Sequence, residues 1–274
     1  MNIKFVIRGL ILALPVTLIA LAVGFALIVG QTPAGRAPGP TPLPPAILAP
    51  RGEMPGGPVG LQEWAQYRGE SYYMTGSGFF FRLTGGEIVG VMAAHSVPSE
   101  WPFSRANGVA FSPDRPLERI GLRVADQADF VAECDTLWGL PGQARTGSDM
   151  TVDYVLMQPD GPVEPAFALT PDSRGAPQPG ERVSLFSGVD GRILEGTVQS
   201  VDDVAVWVLM DETFNPSSMS GSPFVSQHTG QVVGMLIAVT PRRTRLLMGV
   251  HPIGSLVRLA ESATESIKMD EYWQ

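Results

Sequence analysis

The 274-residue sequence predicts an all-β domain of two six-stranded antiparallel barrels with a C-terminal helix, preceded by one N-terminal transmembrane helix. Three observations carry this expectation. Short apolar runs recur along the last two thirds of the chain, separated by glycine, proline and aspartate, as in sandwiches and barrels. Only one segment, residues 253–267, spaces its apolar residues at helical intervals. From Gly9 to Gly30 the chain runs 22 residues without a charge.

At about 1.5 Å per residue, a helix over that run matches the roughly 30 Å hydrocarbon core of a bilayer. Lys4 and Arg8 precede it and the next basic residue is Arg36, which favours a cytoplasmic N-terminus. Residues 1–30 are therefore expected to act as a signal anchor, leaving the rest outside the cytoplasm, periplasmic if the source is bacterial. The alternative is a cleaved signal peptide and a secreted domain. Residues 31–60 hold nine prolines and six glycines, a composition that favours extended polyproline II and reads as a semi-rigid spacer. The folded domain is then expected over residues 61–274.

Within it, strands are expected at 76–83, 87–94, 119–126 and 152–158. A second group follows at 182–188, 193–201, 204–210, 231–239 and 245–251. The proline- and glycine-bearing stretch around residues 160–180 separates the two groups, and two small barrels fit the length of each. A site is expected in the cleft between them.

Composition narrows the chemistry. The net charge is −8 and no cluster of Lys and Arg appears, which argues against nucleic acid as a partner. The one cysteine, Cys134, lies in VAECDTLW and reads as a small residue of a strand. No Cys/His spacing suggests a metal site. Of three histidines, His228 lies in a polar turn expected to be exposed, and His251 ends the last strand and is expected to be structural. His95 ends an apolar strand in VMAAHSV, where a short turn can aim its ring into a cleft.

The flanking segments resemble those of trypsin-like serine proteases, and in particular bacterial HtrA (Deg) protease domains. EIVGVMAAHSV is similar to the strand and turn around the family's catalytic histidine. GSGFFFRLTGG resembles its Gly-Ser-Gly-Phe strand, and VDYVLMQ its aspartate followed by apolar residues. SMSGSPFVSQHTGQVVGML is similar to the nucleophile segment, and RLLMGVHPIGSLVRL to the last strand and terminal helix. The likeness spans residues 74–265.

The resemblance implies a catalytic triad of His95, Asp153 and Ser220. Asp149 is the rival acid, set aside because it sits in the turn-like GSD rather than directly before the apolar run. It also implies an oxyanion hole from the backbone amides of Ser218 and Ser220, and a substrate pocket near Phe214, Asn215, Ile237, Ala238 and Val239. None of those five is acidic, so a preference for small or apolar side chains is expected. The chain departs from the pattern at Ser218, where the family has glycine, and at Ser222, where it has a second glycine. Asn215 also stands five positions before the serine instead of four, a combination that leaves the oxyanion loop free to be either collapsed or competent at rest. Only about 23 residues follow the last strand, so a PDZ domain is not expected.

The implied activity is a membrane-anchored serine endopeptidase acting on protein or peptide substrates without metal or cofactor. The alternative is an inactive trypsin-like domain serving as an envelope scaffold or binding module.

Overall fold

The computed structural model describes residues 52–97 and 116–273. The expected transmembrane helix lies outside these residues, as does most of the proline-rich segment. Among the described residues no helix is long and apolar enough to cross a membrane. Residues 52–60, the end of the proline-rich segment, lie against the domain: Gly52 N–H donates to the His228 carbonyl and Val59 is buried.

The first sheet contains β1 (Leu61–Tyr67), β2 (Tyr73–Arg82), β3 (Ile88–Met92), β4 (Leu117–Arg123), β5 (Ala132–Cys134), β6 (Thr136–Trp138) and β7 (Val155–Gln158). It also contains β8 (Ala168–Leu169), and β15 (Ser266–Lys268) from the far end of the chain. Its order is β15-β6-β7-β3-β2-β1-β4-β5, with β8 pairing in parallel to β2. The second sheet is a closed barrel of β9 (Arg182–Phe186), β10 (Ile193–Val201), β11 (Val206–Met210), β12 (Pro223–Ser226), β13 (Val232–Arg242) and β14 (Arg245–Pro252). Helix α1 (Ile253–Ser262) follows it, and a single turn, α2 (Met269–Tyr272), follows β15.

Two closed barrels were expected, and only the second closes by hydrogen bonds. In the first sheet, β5 and β6 are separated by Asp135 alone. Three residues on one side pair with β4 and the other side pairs with β7 and β15. The chain itself, bending at Asp135, carries the sheet from one end of its path to the other. β5 and β6 are consecutive pieces of one bent strand and cannot ladder with each other, so the sheet does not close by hydrogen bonds there.

The helix also stops earlier than its apolar spacing suggests. The Ala263 amide bonds back to Ala260, and the chain then extends so that Lys268 reaches Asp135 at 2.7 Å. Docking on the first sheet overrides local helical preference there.

Strand alternation explains the core. Phe79 and Phe81 face a cluster shared with Val225, Val232, Met235 and the α1 residues Ile253 and Leu256, which ties the sheet to the barrel. Phe80 points the opposite way, into the first sheet's own cluster with Leu122 and Met157. A strand buried on both faces reads as an unbroken apolar run, hence Phe-Phe-Phe. The barrel fills its interior with Leu185, Val208, Met219, Phe224, Leu236 and Met248.

Candidate active site

His95 sits in a single 3-10 turn, Ala94–Ser96, that follows β3. The turn breaks the strand after Met92 and lifts the imidazole out of the sheet, leaving its side chain 33% exposed. Asp153 lies two residues before β7, which pairs with β3, so the sheet's own register brings the two together. The carboxylate is fully buried and takes three N–H donors. Oδ2 accepts from His95 Nδ1 at 2.8 Å and from the Arg145 amide at 3.2 Å, and Oδ1 accepts from the His95 amide at 3.1 Å.

A carboxylate on Nδ1 places the imidazole proton there and leaves Nε2 as the basic nitrogen. Burial alone would raise the Asp153 carboxyl, but the hydrogen bonds and charge of His95 outweigh it, so the group is held below the usual carboxylate range. The Arg145 donor belongs to a loop that folds back along the Asp153 segment. Gly142 and Gln143 donate to the carbonyls of Tyr154 and Val152. Asp149 is engaged elsewhere, accepting from the Thr151 amide at 2.8 Å and hydroxyl at 2.6 Å.

Ser220 lies in the loop between β11 and β12, half-buried. Its carbonyl accepts from the Ser77 amide of β2 at 2.9 Å, and Gly221 donates to the Leu236 carbonyl of β13 at 2.8 Å. Gly221 has φ +94°, and a Cβ there would fall 1.7 Å from the Ser77 carbonyl oxygen. Only glycine tolerates both the dihedral and the approach. The turn carrying His95 touches the same stretch of β2, since a Cβ on Gly76 would meet Ser96 Oγ at 2.7 Å. The structure therefore joins His95 to Asp153 by a hydrogen bond and sets Ser220 on the neighbouring residue of one strand. No hydrogen bond links Ser220 Oγ to His95.

Ser218 has φ +62°, the left-handed conformation that the family's glycine would adopt freely. For serine this costs on the order of 1–2 kcal/mol. The loop has defined turns: Met219 N–H donates to the Pro216 carbonyl and Ser222 N–H to the Met219 carbonyl. Met219 is buried in the barrel core. Neither the Ser218 nor the Ser220 amide donates to a backbone acceptor among the described residues.

Of the five expected pocket residues, four pack against the core. Ile237 and Ala238 are buried in the cluster between sheet and barrel, while Phe214 and Val239 pack against the barrel core. Asn215 is exposed and accepts from the Ser217 amide and hydroxyl.

Of the other candidates, Cys134 is buried in β5, and burial pushes its thiol far above the range where a thiolate forms. His228 is half-buried rather than exposed. His251 is fully buried, and its ring meets Tyr154 edge-on at 5.9 Å. Burial drives its pKa down to about 4, against the opposing charge of Asp153. Among the described residues no group of His, Cys, Asp and Glu could hold a metal ion.

Sequence reasoning missed Arg145 and Ser77. Arg145 acts through its backbone, which any residue type supplies. Ser77 lies inside the Gly-Ser-Gly-Phe motif, and that position was the available signal.

No protein-family model matches the chain, and no curated protein matches it. In structure the chain is similar to kallikrein-related peptidase 10, at 17% identity and TM-score 0.51, over 75% of this chain and 94% of that one. It is also similar to a thermostable serine protease, AL20, from an extremophilic microorganism, at 11% identity and TM-score 0.49, over 76% and 97%. A third likeness is to Deg5, at 16% identity and TM-score 0.45, over 77% and 93%. The described domain has the trypsin-like serine-protease fold.

Proposed function

We propose that the protein is a serine endopeptidase in which Ser220 is the nucleophile, His95 the general base and Asp153 the acid that orients it. The observation that carries the reading is the 2.8 Å bond from His95 Nδ1 to a buried, thrice-bonded Asp153 carboxylate. A buried carboxylate fixed to Nδ1 is what holds an imidazole as a base toward a hydroxyl. In this scheme His95 Nε2 takes the Ser220 proton as Oγ attacks a peptide carbonyl. The Ser218 and Ser220 amides receive the oxyanion. His95 then protonates the departing amine, and water repeats the sequence to release the acid and restore Ser220.

The substrate is a protein or peptide, and the chemistry uses no metal or cofactor. We further propose that residues 1–30 anchor the domain to a membrane, with the domain on the extracytoplasmic side.

A second reading, an inactive domain serving as a binding scaffold, is favoured by one observation: Ser220 Oγ is not hydrogen-bonded to His95. Catalytic hydrogen bonds often tighten only when substrate is bound, and the enzyme reading is consistent with that. Incubating the detergent-solubilised full chain with a peptide library and sequencing products by mass spectrometry separates the two. Cleavage that disappears in Ser220→Ala supports the enzyme; an intact library with retained peptides supports the scaffold.

A further inference from the structure

We propose that Ser77 is a positioning residue for the oxyanion loop: its hydroxyl and amide hold the loop from the first sheet and so stand in for the missing glycine at 218. The inference rests on the protease reading and deepens it.

Ser77 is fully buried in β2, where a side-chain hydroxyl needs a partner. Its Oγ donates to the Ser218 carbonyl at 2.9 Å, and its N–H donates to the Ser220 carbonyl at 2.9 Å. One residue thus captures two alternate carbonyls of the nucleophile loop. Capturing them fixes the Ser218–Met219 and Ser220–Gly221 peptides, which bracket the Met219–Ser220 peptide carrying the Ser220 amide, while the Met219 side chain is pinned in the barrel core on the other flank. Among the described residues the Ser218 and Ser220 amides have no backbone acceptor, which leaves them to a bound oxyanion.

The strain at Ser218 gives this clamp its purpose. A serine at φ +62° tends to leave the left-handed region, and doing so would rotate its amide away. The hydroxyl of Ser77 bonds the carbonyl of that very residue. A glycine at 218 would need no such hold, because it occupies the region freely. Ser77 and Ser218 are therefore coupled: the first matters because the second is not glycine.

The test measures, on detergent-solubilised full chain, the rate of fluorophosphonate labelling together with kcat and KM for a peptide substrate. Ser77→Ala is expected to lower the labelling rate and kcat about tenfold or more, the loss of one buried hydrogen bond in the transition state, with KM within about threefold. Adding Ser218→Gly to Ser77→Ala restores at least about fivefold of that loss, whereas Ser218→Gly alone raises the rate no more than about twofold. If Ser77→Ala fails to fold, Ser77→Cys keeps the volume with a weaker donor, and the same partial rescue is expected.

Labelling of Ser77→Ala at the wild-type rate, or losses and gains that simply multiply, overturns the proposal while leaving the protease intact. Absence of labelling in the wild type, or labelling that persists in Ser220→Ala, overturns the protease reading and this inference together.

Discussion

The two halves of the candidate site are built by opposite means. The half on the first sheet, His95 and Asp153, is held by charge and hydrogen bonds: one buried carboxylate with three donors, two of them from His95. The half on the closed barrel, Ser220 and its neighbours, is held by backbone shape: positive φ at Ser218 and Gly221, a close approach to β2, and Met219 buried in the core. An acid–base pair can be set by side chains alone, because the interaction is strong and directional. An oxyanion site uses amides, so its precision depends on where the chain turns.

This contrast predicts different failures for the two halves. Ser220→Ala removes the proposed nucleophile and is expected to lower kcat about 10⁶-fold, read as loss of product in a peptide-cleavage assay. Asp153→Asn breaks the sheet half while keeping its shape. It leaves His95 in the wrong tautomer and is expected to cost about 10⁴-fold in kcat, with little change in thermal midpoint. Gly221→Ala breaks the barrel half by sterics, because its Cβ falls 1.7 Å from a backbone oxygen. It is expected to lower both the thermal midpoint and the labelling rate, so the two halves separate by whether stability falls with activity. Asp153→Asn destabilising as much as Gly221→Ala would erase the distinction.

The smallest expected effect is on pH dependence. Glu63, on β1, is fully buried; burial raises its carboxyl to about 8, with the bond from Thr75 opposing. The unfolded group ionises near 4.5, so its contribution to stability is complete below that pH and is lost as pH rises toward 8. His251 acts in the other direction. Its unfolded ring takes a proton near 6.5 and its folded ring only near 4, so stability falls as pH drops through that window. Thermal midpoints across pH 4–9 should show Glu63→Gln removing the fall between about pH 4.5 and 8 and leaving the His251 dependence between 4 and 6.5 in place. An unchanged profile between pH 6.5 and 8 would contradict the assignment.

Much of the strand pattern was legible, because period-two alternation survives wherever one face is buried. Residues 193–201, expected as a strand, are β10 with the same bounds. β1 was not legible: LQEWAQY places Gln62 and Glu63 in buried positions, so its polar letters hide a core strand. The corner at Asp135 was not legible either, since a bend between two three-residue pieces has no periodicity of its own.

At the site, the identities of His95 and Asp153 came from flanking motifs, while their contact came from the pairing of β3 with β7. The Arg145 donor and the left-handed turn at Ser218 are properties of the backbone. A departure from glycine there leaves the loop's shape open in the sequence, and the contacts of Ser77 and Met219 lie too far along the chain to be read from it.

The central claim is that one hydroxyl, one imidazole and one carboxylate act as a unit. The most direct measurement is peptide mapping by mass spectrometry after the full chain reacts with a fluorophosphonate. The account predicts a single adduct on Ser220, formed at least about 10³-fold more slowly in His95→Ala. An unmodified Ser220, or modification that proceeds at the same rate without His95, would contradict it.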